Sequence, residues 1–284
     1  MKKIERGANY VAENLELFSC PVCQSRFEHV ELPSVFCEQN HQFDLSKKGT
    51  LYLLKHGVTS DYDDDRLWQA RRKCLQAGLF DPIISELQAN IPAKGQKILD
   101  IGCGEGTPLQ RLEHLRTEPN DRYLGFDISK RAINLATQQE TNAFFCIADL
   151  AALPFATEAF DQLIDIFSPS AYQEFSRVLK PGGQLLKVIP NADYLGELRR
   201  ALYPKETKNH AYSNASVVAL FEKHFPKMEK QRIKYHFALD PELFSALLQM
   251  TPLQWGASKE RRAQVLSEPL DQITVDVTLL CAQK

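Results

Sequence analysis

The chain has 284 residues, enough for one large domain and a small one. Its apolar fraction of 44% and charged fraction of 25% are ordinary for a globular protein, and a net charge of −2 favours no class of partner. No apolar run is long enough to span a membrane, and acidic residues interrupt the N-terminal region where a signal peptide needs an apolar core. We therefore expect a cytoplasmic protein with no membrane partner.

The chain divides into segments of different composition. An acidic, polar stretch over residues 57–65 precedes predicted helices over 67–78 and 83–88. The first residues are interpreted as a poorly ordered or loosely docked extension. We divide the chain into an extension at 1–17, a Cys- and His-rich module at 18–56, a helical connection at 57–95 and a larger domain at 96–284.

From residue 96 onward, short apolar strands alternate with helical segments. Such alternation predicts βαβ units and a parallel sheet that is covered on both faces, an α/β fold. Two further β-like runs, at 232–239 and 273–281, would supply antiparallel edge strands. Residues 180–183 (Lys-Pro-Gly-Gly) form a turn by composition. Strands are expected over 97–101, 123–127, 143–148, 160–167 and 183–189, and helices over 108–115, 130–139 and 171–179.

A metal site is predicted near the N-terminus. Cys20 and Cys23 are followed by Cys37 and His41, in the spacing C-x2-C-x13-C-x3-H. Four such ligands close the tetrahedral shell of a structural zinc ion, whereas a catalytic zinc keeps a position for water. A module of about forty residues has little apolar core, so one Zn²⁺ would supply much of its folding free energy. A redox CxxC needs a βαβ context that is absent here, and we treat His29 as a surface residue.

A glycine-rich loop follows the predicted strand Lys97–Ile101. Gly102, Gly104 and Gly106 permit positive φ and close backbone approach to a ligand at the carboxyl edge of the sheet. A dinucleotide fingerprint, G-x-G-x-x-G, would place its third glycine one residue later. Asp100 can pair with the cationic amino end of methionine, but it would be misplaced beside a pyrophosphate. The loop therefore favours S-adenosylmethionine, the alternative being a glycine turn of some other α/β domain.

Two later acids fit the same ligand. Asp127, followed by Ile128, ends the second strand about twenty residues on, where an acid accepts hydrogen bonds from ribose hydroxyls. Asp149 ends the third strand and is placed to accept from the adenine amino group, with Leu150 packing on the ring. Either acid alone also fits a helix N-cap, but their joint spacing after the loop supports the cofactor.

From residue 18 to the end, the chain resembles the bacterial 23S rRNA guanine-N1 methyltransferases that act on a hairpin of domain II. The glycine loop and Lys-Pro-Gly-Gly occur in many methyltransferases, whereas the zinc pattern joined to Gln-Ala-Arg-Arg and Leu-Gln-Met-Thr-Pro is far more specific. The motifs that carry the resemblance are Cys20-Pro-Val-Cys23, Cys37, His41-Gln-Phe-Asp44, Gln69-Ala-Arg-Arg72, Ala77-Gly78, Leu99-Asp-Ile-Gly-Cys-Gly-Glu-Gly106, Leu179-Lys-Pro-Gly-Gly183 and Leu248-Gln-Met-Thr-Pro252.

The resemblance implies a Rossmann-like class I methyltransferase domain, a small N-terminal zinc-ribbon-like domain that recognises rRNA, and often a homodimer that forms an RNA-binding cleft. It implies that Gly106 and Thr107 lie beside the cofactor, although relatives often have an aromatic residue where this chain has Thr107. Phe80 stands where an aromatic residue lies near the cofactor, and His210 is the nearest match to a histidine from beyond the core sheet. The family's zinc ligands match Cys20, Cys23, Cys37 and His41.

The implied chemistry is direct transfer of the sulfonium methyl group to N1 of a guanine in that hairpin, so the protein mainly has to position the base. Phe167, Ser168 and Pro169 follow the fourth strand, where the target base should meet the methyl group. Guanine N1 carries a proton that a carboxylate, a histidine or an oriented water could accept. Asp165 is one candidate, but its alternating position in an apolar strand favours a structural role.

Basic residues in both domains are candidate phosphate contacts, although solvated helix faces account for such clusters about as well. Trp68, Phe80 and Trp255 could stack on bases, but buried packing is the more usual role of such rings. The candidate phosphate contacts are Lys47, Lys48, Arg71, Arg72, Lys73, Arg199, Arg200, Lys205 and Lys208.

Two alternative functions remain open. The first is a methyltransferase of a small molecule or protein that carries a zinc module for another purpose. The second is a non-catalytic RNA-binding or macrolide-type resistance factor that keeps the cofactor fold, against which the intact Asp100, Asp127 and Asp149 argue.

Overall fold

The larger part of the chain is organised around a mixed sheet. The computed structural model describes residues 1–55, 64–205, 207 and 210–284, and within them it contains one eight-stranded sheet and one three-stranded sheet. Residues 57–63 of the predicted acidic connection, and Lys208, lie outside the described residues. In the parts of the chain that the structure describes, none of the helices combines the length and apolarity that a membrane crossing requires.

The elements follow the order that the sequence predicts from residue 64 onward, with further helices near both ends. In chain order the helices are α1 (Lys3–Glu13), α2 (Asp65–Gln76), α3 (Asp81–Asn90), α4 (Thr107–Leu115), α5 (Lys130–Ala136), α6 (Tyr172–Val178), α7 (Gly196–Leu202), α8 (Ala215–His224), α9 (Pro241–Met250) and α10 (Lys259–Ser267). The strands are β1 (Phe27–Glu31), β2 (Ser34–Cys37), β3 (Gln42–Asp44), β4 (Leu51–Tyr52), β5 (Lys97–Ile101), β6 (Arg122–Asp127), β7 (Phe144–Ile147), β8 (Phe160–Ile166), β9 (Leu179–Pro190), β10 (Met228–Ala238) and β11 (Gln272–Gln283).

The strand order of the large sheet is β10-β11-β9-β8-β5-β6-β7-β4. Strands β4 to β9 pair in parallel, and β11 and β10 add antiparallel strands at one edge. The chain moves outward from β5 in both directions, so the order reverses between β5 and β8. Ligands of open α/β sheets bind beyond the carboxyl ends of the strands at such a reversal. The predicted α/β class and the antiparallel edge are confirmed.

Most predicted boundaries differ from the structure by one to four residues, and two of these differences change the extent of an element most clearly. Residues 180–183 are not a free turn but part of β9, because the Gly182 N–H donates to the Lys284 carbonyl oxygen at 3.0 Å and the Lys284 N–H donates to the Gly183 carbonyl oxygen at 2.9 Å. The C-terminal residue is too distant in sequence for the local composition to indicate this pairing. The helix predicted over 130–139 ends at Ala136.

The hydrophobic core has one layer on each face of the sheet. Ile98 and Ile164 contribute to the layer that α2, α3, α4, α5, α7 and α9 cover. Leu99 and Leu163, the next residues along the same strands, contribute to the opposite layer, which α1, α6, α8 and the N-terminal module cover. This alternation is the two-residue period of a strand that is buried on both faces.

The N-terminal extension is a docked helix, which corrects the expectation of a loosely attached segment. The Tyr10 ring stacks on Phe144 with 5.1 Å between centroids, and its hydroxyl donates to the Tyr123 carbonyl oxygen at 2.9 Å. On the same helix, a Cβ added to Gly7 would lie 2.4 Å from the Gly49 carbonyl oxygen. The buried face of α1 therefore combines Gly7, which permits close backbone approach, with Ala8 and Val11.

The Cys- and His-rich module is joined to the large sheet. Its three-stranded antiparallel sheet, β1-β2-β3, is followed by β4, which pairs in parallel with β7. The pairing continues past the strand, because the Leu53 N–H donates to the Ile147 carbonyl oxygen at 2.8 Å. The module thus supplies the edge strand beside β7, the strand that leads to Asp149.

Candidate cofactor site and metal centre

The glycine loop between β5 and α4 is approached closely from two sides. Gly102 has φ +65°, and a Cβ there would lie 2.1 Å from the Ser168 Oγ. Gly104 has φ +57°, and its Cβ would lie 3.0 Å from the Trp68 ring. Any side chain at Gly102 would collide with the loop after β8, and a left-handed φ is strained for other residues. The glycine loop therefore lies between Trp68 of α2 and Ser168 of the loop after β8.

Asp100 carries a buried carboxyl at the end of β5. Asp100 is only 3% exposed to solvent. Burial, reinforced by the negative charges of Asp165 and Asp127, raises the pKa of Asp100 to about 8, and Arg71 opposes the shift. A ligand with a cationic group beside this carboxyl would relieve the burial penalty. The surroundings of Asp100 therefore fit the ammonium end of S-adenosylmethionine.

Asp127 ties the end of β6 to the glycine loop. Its Oδ2 accepts from the Gly104 N–H at 3.0 Å and its Oδ1 from the Ser129 N–H at 2.8 Å. Burial raises the pKa of Asp127, and these two hydrogen bonds oppose the shift. A carboxylate offers about four acceptor positions, so capacity remains for ribose hydroxyls. Asp127 thus accepts backbone N–H groups as a helix N-cap residue does, and it can still accept hydrogen bonds from the ribose of the cofactor.

The adenine side of the predicted site lies past β7. Asp149 is half-buried, and its Oδ1 accepts from the Ala151 N–H at 2.9 Å, which fixes the turn. Leu150 is half-buried against the core layer on the N-terminal module's side, and Ile128 is half-buried beyond β6. The structure thus places these predicted residues at the carboxyl edge of the sheet, together with the glycine loop.

A buried ion pair supports the glycine loop from behind. Arg72 Nε lies 3.0 Å from Glu105 Oε2, and the Glu105 side chain is fully buried. The same guanidinium donates to the Glu105 and Leu135 carbonyl oxygens and to Gln138 Oε1. The prediction that Arg72 contacts RNA phosphate is therefore wrong, because its donors are already engaged within the protein. Sequence alone could not reveal this, since Glu105 is 33 residues away.

Thr107 belongs to the same buried network. Its hydroxyl donates to Glu105 Oε2 at 2.9 Å and accepts from Gln139 Nε2 at 2.8 Å, and its N–H donates to Glu105 Oε1 at 3.1 Å. The residue is 1% exposed. Its polar atoms thus hold the loop, and a direct contact of its side chain with the cofactor stays a prediction.

The loop after β8 is held in an uncommon conformation. Phe167 has φ +62°, which is rare for a bulky residue and is found mostly where the surroundings impose it. Lys187 Nζ lies 2.6 Å from Asp165 Oδ2 and donates to the Ser168 carbonyl oxygen at 2.9 Å, while the Ser168 N–H donates to Asp165 Oδ1 at 3.0 Å. Asp165 is therefore a structural residue beneath the loop. In the sequence, a single lysine within the apolar run of β9 is the feature that could have indicated the buried role of Lys187.

An aromatic cluster lies beside this loop. The Phe167 ring packs edge-on against Phe80 with 5.5 Å between centroids and against Tyr194 at 5.0 Å. Phe80 is 1% exposed, so it packs in the core and cannot stack on a base from the surface. The structure therefore brings Phe80 next to the predicted substrate loop. Tyr194 lies in no sequence motif that indicated a site residue.

The remaining predicted residues have varied surroundings. His210 Nδ1 lies 2.8 Å from the Tyr203 carbonyl oxygen, and among the described residues none of its contacts involves the loop. Trp68 is buried with Leu67 and Leu135, whereas Trp255 is 47% exposed. Lys73 forms an ion pair with Glu242, and Arg199 lies over the Tyr212 ring. Of the remaining basic candidates that the structure describes, Arg71 is half-buried, whereas Lys47, Lys48, Arg200 and Lys205 are exposed.

The four predicted zinc ligands converge. All four donor atoms lie within 4.8 Å of one another, with 3.8 Å between the Cys23 and Cys37 sulfurs, and 3.7 and 3.5 Å from His41 Nδ1 to the Cys20 and Cys37 sulfurs. Tetrahedral ligands with a Zn–S length of about 2.3 Å are about 3.8 Å apart. The donor set therefore fits a structural Zn²⁺ that cross-links the Cys20–Cys23 turn to the Cys37–His41 turn. His29 is exposed, as expected of a surface residue.

Two family models match the chain in the order that the fold suggests. A model described as "RlmA, N-terminal", a zinc ribbon, matches residues 18–55, and a methyltransferase domain model matches residues 92–240. The phosphoethanolamine N-methyltransferase 2 of Haemonchus contortus, solved in complex with S-adenosyl-L-methionine, shares the fold with a TM-score of 0.50 and 14% identity. That comparison covers 80% of this chain and 60% of the other.

Curated relatives extend over nearly the whole chain. A Bacillus subtilis protein assigned as a 23S rRNA (guanine-N1)-methyltransferase is 36% identical over 280 residues, which cover 95% of this chain and 98% of that protein. The 23S rRNA (guanine(748)-N1)-methyltransferase of Streptomyces fradiae is 27% identical over 91% of this chain and 94% of that protein.

Fold, glycine loop and acid set define an S-adenosylmethionine-dependent class I methyltransferase with a structural zinc site. Within that class, the chain belongs to the RlmA-type family, in which a zinc ribbon precedes the methyltransferase domain and to which the rRNA (guanine-N1)-methyltransferases above belong.

Proposed function

We propose that this chain transfers a methyl group from S-adenosylmethionine to N1 of a guanine in a domain II hairpin of 23S rRNA. One observation carries the proposal: the similarity to the two rRNA methyltransferases runs through the zinc ribbon as well as the catalytic domain. A shared catalytic domain alone would support only methyl transfer. The zinc ribbon is the part that distinguishes this family from methyltransferases of small molecules.

The bound cofactor supplies a methyl group that is already activated, so the task of the protein is to position it. In this proposal Asp100 holds the ammonium group, Asp127 the ribose, and Asp149 the adenine amino group. The other proposed cofactor contacts are Gly102, Gly104, Gly106, Thr107, Ile128 and Leu150, with Phe80 and His210 suggested by the family resemblance.

The loop of Phe167, Ser168 and Pro169 faces the methyl acceptor in this proposal. Lys187 and Asp165 hold the loop from below, and Phe80 and Tyr194 support its ring from the side. Because the loop also touches Gly102, acceptor and cofactor sites share one wall. Such rigid support keeps the reacting atoms aligned, which is where positioning catalysis gains its rate.

The RNA is expected to contact exposed cations of both parts of the chain. Lys47 and Lys48 lie on the zinc ribbon, and Arg200 and Lys205 lie near the end of α7. Phosphate contacts of this kind make affinity fall steeply with salt. We further propose that the enzyme acts in the cytoplasm, and that a second copy completes the RNA-binding cleft.

Radiolabelled methyl transfer tests the proposal against its alternatives. Unmodified 23S rRNA, small-molecule extracts and protein extracts are each incubated with the zinc-loaded chain and labelled S-adenosylmethionine. Label in the rRNA alone supports the proposal, and label in either other pool supports the first alternative. If calorimetry shows that the chain does not bind S-adenosylmethionine at all, the non-catalytic alternative replaces it.

A further inference from the structure

The two adjacent arginines of α2 have different surroundings. Arg72 is hydrogen-bonded to Glu105, whereas Arg71 Nε lies near Gly104 of the glycine loop. Arg71 Cζ lies 5.8 Å from the centroid of the Phe80 ring, and a Cβ on Gly104 would be 3.7 Å from Arg71 Nε. The Arg71 guanidinium therefore lies close to both the Phe80 ring and the glycine loop.

Arg71 is a cation among buried acids. Its charge acts on both Asp100 and Asp127, and Asp165 acts in turn on Asp100. Nevertheless, the Arg71 guanidinium makes no hydrogen bond to any other residue that the structure describes. The side chain is half-buried, with Phe80 on one side. The N–H donors of the Arg71 guanidinium therefore lie beside the glycine loop and are available to a ligand.

The cofactor of the proposed function, S-adenosylmethionine, has one anionic group, the carboxylate of its methionine part. The methionine part of S-adenosylmethionine is a zwitterion, and the ammonium suits Asp100. Its carboxylate would be repelled by Asp100, Asp127 and Asp165 unless a cation faced it. A guanidinium matches a carboxylate with two parallel hydrogen bonds. We propose that Arg71 binds the methionine carboxylate of S-adenosylmethionine.

This assignment differs from the expectation that Arg71 contacts RNA phosphate. Phosphate contacts need cations that the RNA backbone can reach, and Arg71 is half-buried between Phe80 and the glycine loop. The proposal rests on the cofactor of the proposed function and not on the identity of the methyl acceptor. It therefore stands or falls independently of the rRNA assignment.

Calorimetry with two ligands tests the assignment. S-adenosylhomocysteine carries the amino acid group, and 5′-methylthioadenosine lacks it. In Arg71→Met, we expect the Kd of S-adenosylhomocysteine to rise by about 10- to 100-fold, since the lost hydrogen bonds are charge-assisted. The Kd of 5′-methylthioadenosine should stay within about twofold of the wild-type value. Arg71→Lys should keep the charge but lose the paired geometry, and give an intermediate Kd.

Lys73→Met is the matched control, because Lys73 lies on the same helix and pairs with Glu242 at the surface. It should bind both ligands as the wild-type chain does. Equal weakening of both ligands in Arg71→Met and Arg71→Lys would overturn the proposal, because it would indicate a packing role beside Phe80. An unchanged S-adenosylhomocysteine Kd with weaker, less salt-dependent rRNA binding would also overturn it and make Arg71 a phosphate contact. Failure of the wild-type chain to bind S-adenosylhomocysteine would contradict both this proposal and the assignment of S-adenosylmethionine as the cofactor.

Discussion

At the scale of single residues, Asp100 costs stability in the cofactor-free chain. Its pKa of about 8 lies above the ordinary value of 3.8, so the folded chain holds this proton more tightly than the unfolded chain does. The stability associated with that proton is fully present below the ordinary pKa and is lost as pH rises through the raised one. The binding site is thus less stable without its cationic ligand.

Asp100→Asn should therefore raise the melting temperature of the cofactor-free chain. The gain should grow between pH 5 and pH 8 and level off above pH 8, at about 2–4 °C for each kcal/mol of relieved burial. Binding of S-adenosylhomocysteine should be lost in the same variant. Differential scanning fluorimetry across this pH range measures the gain, and a gain that is independent of pH would contradict the raised pKa.

Lys187 and Asp165 form a buried ion pair, in which burial raises the pKa of Asp165 to about 6 and the charge of Lys187 opposes that shift. The two side chains are 3% and 0% exposed. Lys187→Met should destabilise the chain by about 3–5 kcal/mol, because it leaves an uncompensated buried charge. The double variant with Asp165→Asn should recover most of the loss, as measured by urea unfolding.

Lys180→Met is the control for this prediction. Its partner Asp161 lies near the surface, and the two side chains are 33% and 28% exposed. The control should lose no more than about 1 kcal/mol. If Lys187→Met were no more destabilising than Lys180→Met, the buried pair would not support the loop after β8.

Some residue roles could not be predicted from the sequence. The glycines, the acids and the zinc ligands follow local patterns with fixed spacing, so they were identified. Arg71 and Arg72 are adjacent and identical, and only the distant partners Glu105 and Phe80 distinguish them. Lys187 likewise acquires its role from Asp165 on the neighbouring strand.

At the scale of elements, the central strands were predictable because each contains a short apolar run, and because β5 is followed by a glycine and β6 ends in an acid. Helix α1 was missed, although Ile4, Ala8 and Val11 recur at the i, i+4 and i+7 spacing of an amphipathic helix. Strand β4 has two residues, which is too short for any periodicity. Its membership in the large sheet depends on pairing with β7, about ninety residues later.

Zinc removal should therefore disturb more than the zinc ribbon. Chelation of Zn²⁺, or Cys37→Ser, should release β4 and accelerate amide hydrogen exchange in β7. Exchange in β10 and β11, at the other edge of the sheet, should not change. Hydrogen exchange followed by mass spectrometry measures both edges in one experiment. Acceleration confined to residues 18–45 would show that the module is independent of the sheet.

At the scale of the whole molecule, zinc ribbon and catalytic sheet form one continuous structure. β4 extends the sheet, and α1 packs on both β7 and the loop at Gly49. An RNA that binds the exposed lysines of the ribbon would thus be held in a fixed position relative to the glycine loop. This arrangement gives a physical reason for the joint occurrence of the two parts in this family.

The central claim is that the methyl acceptor is N1 of a guanine in a domain II hairpin of 23S rRNA. Mass spectrometric mapping of 23S rRNA from a deletion strain tests it most directly, beside the same strain carrying the wild-type or the Asp100→Asn gene. We predict that one N1-methylguanosine in that hairpin is lost on deletion, returns with the wild-type gene and stays absent with Asp100→Asn. A hairpin whose methylation is the same in all three strains would contradict the claim.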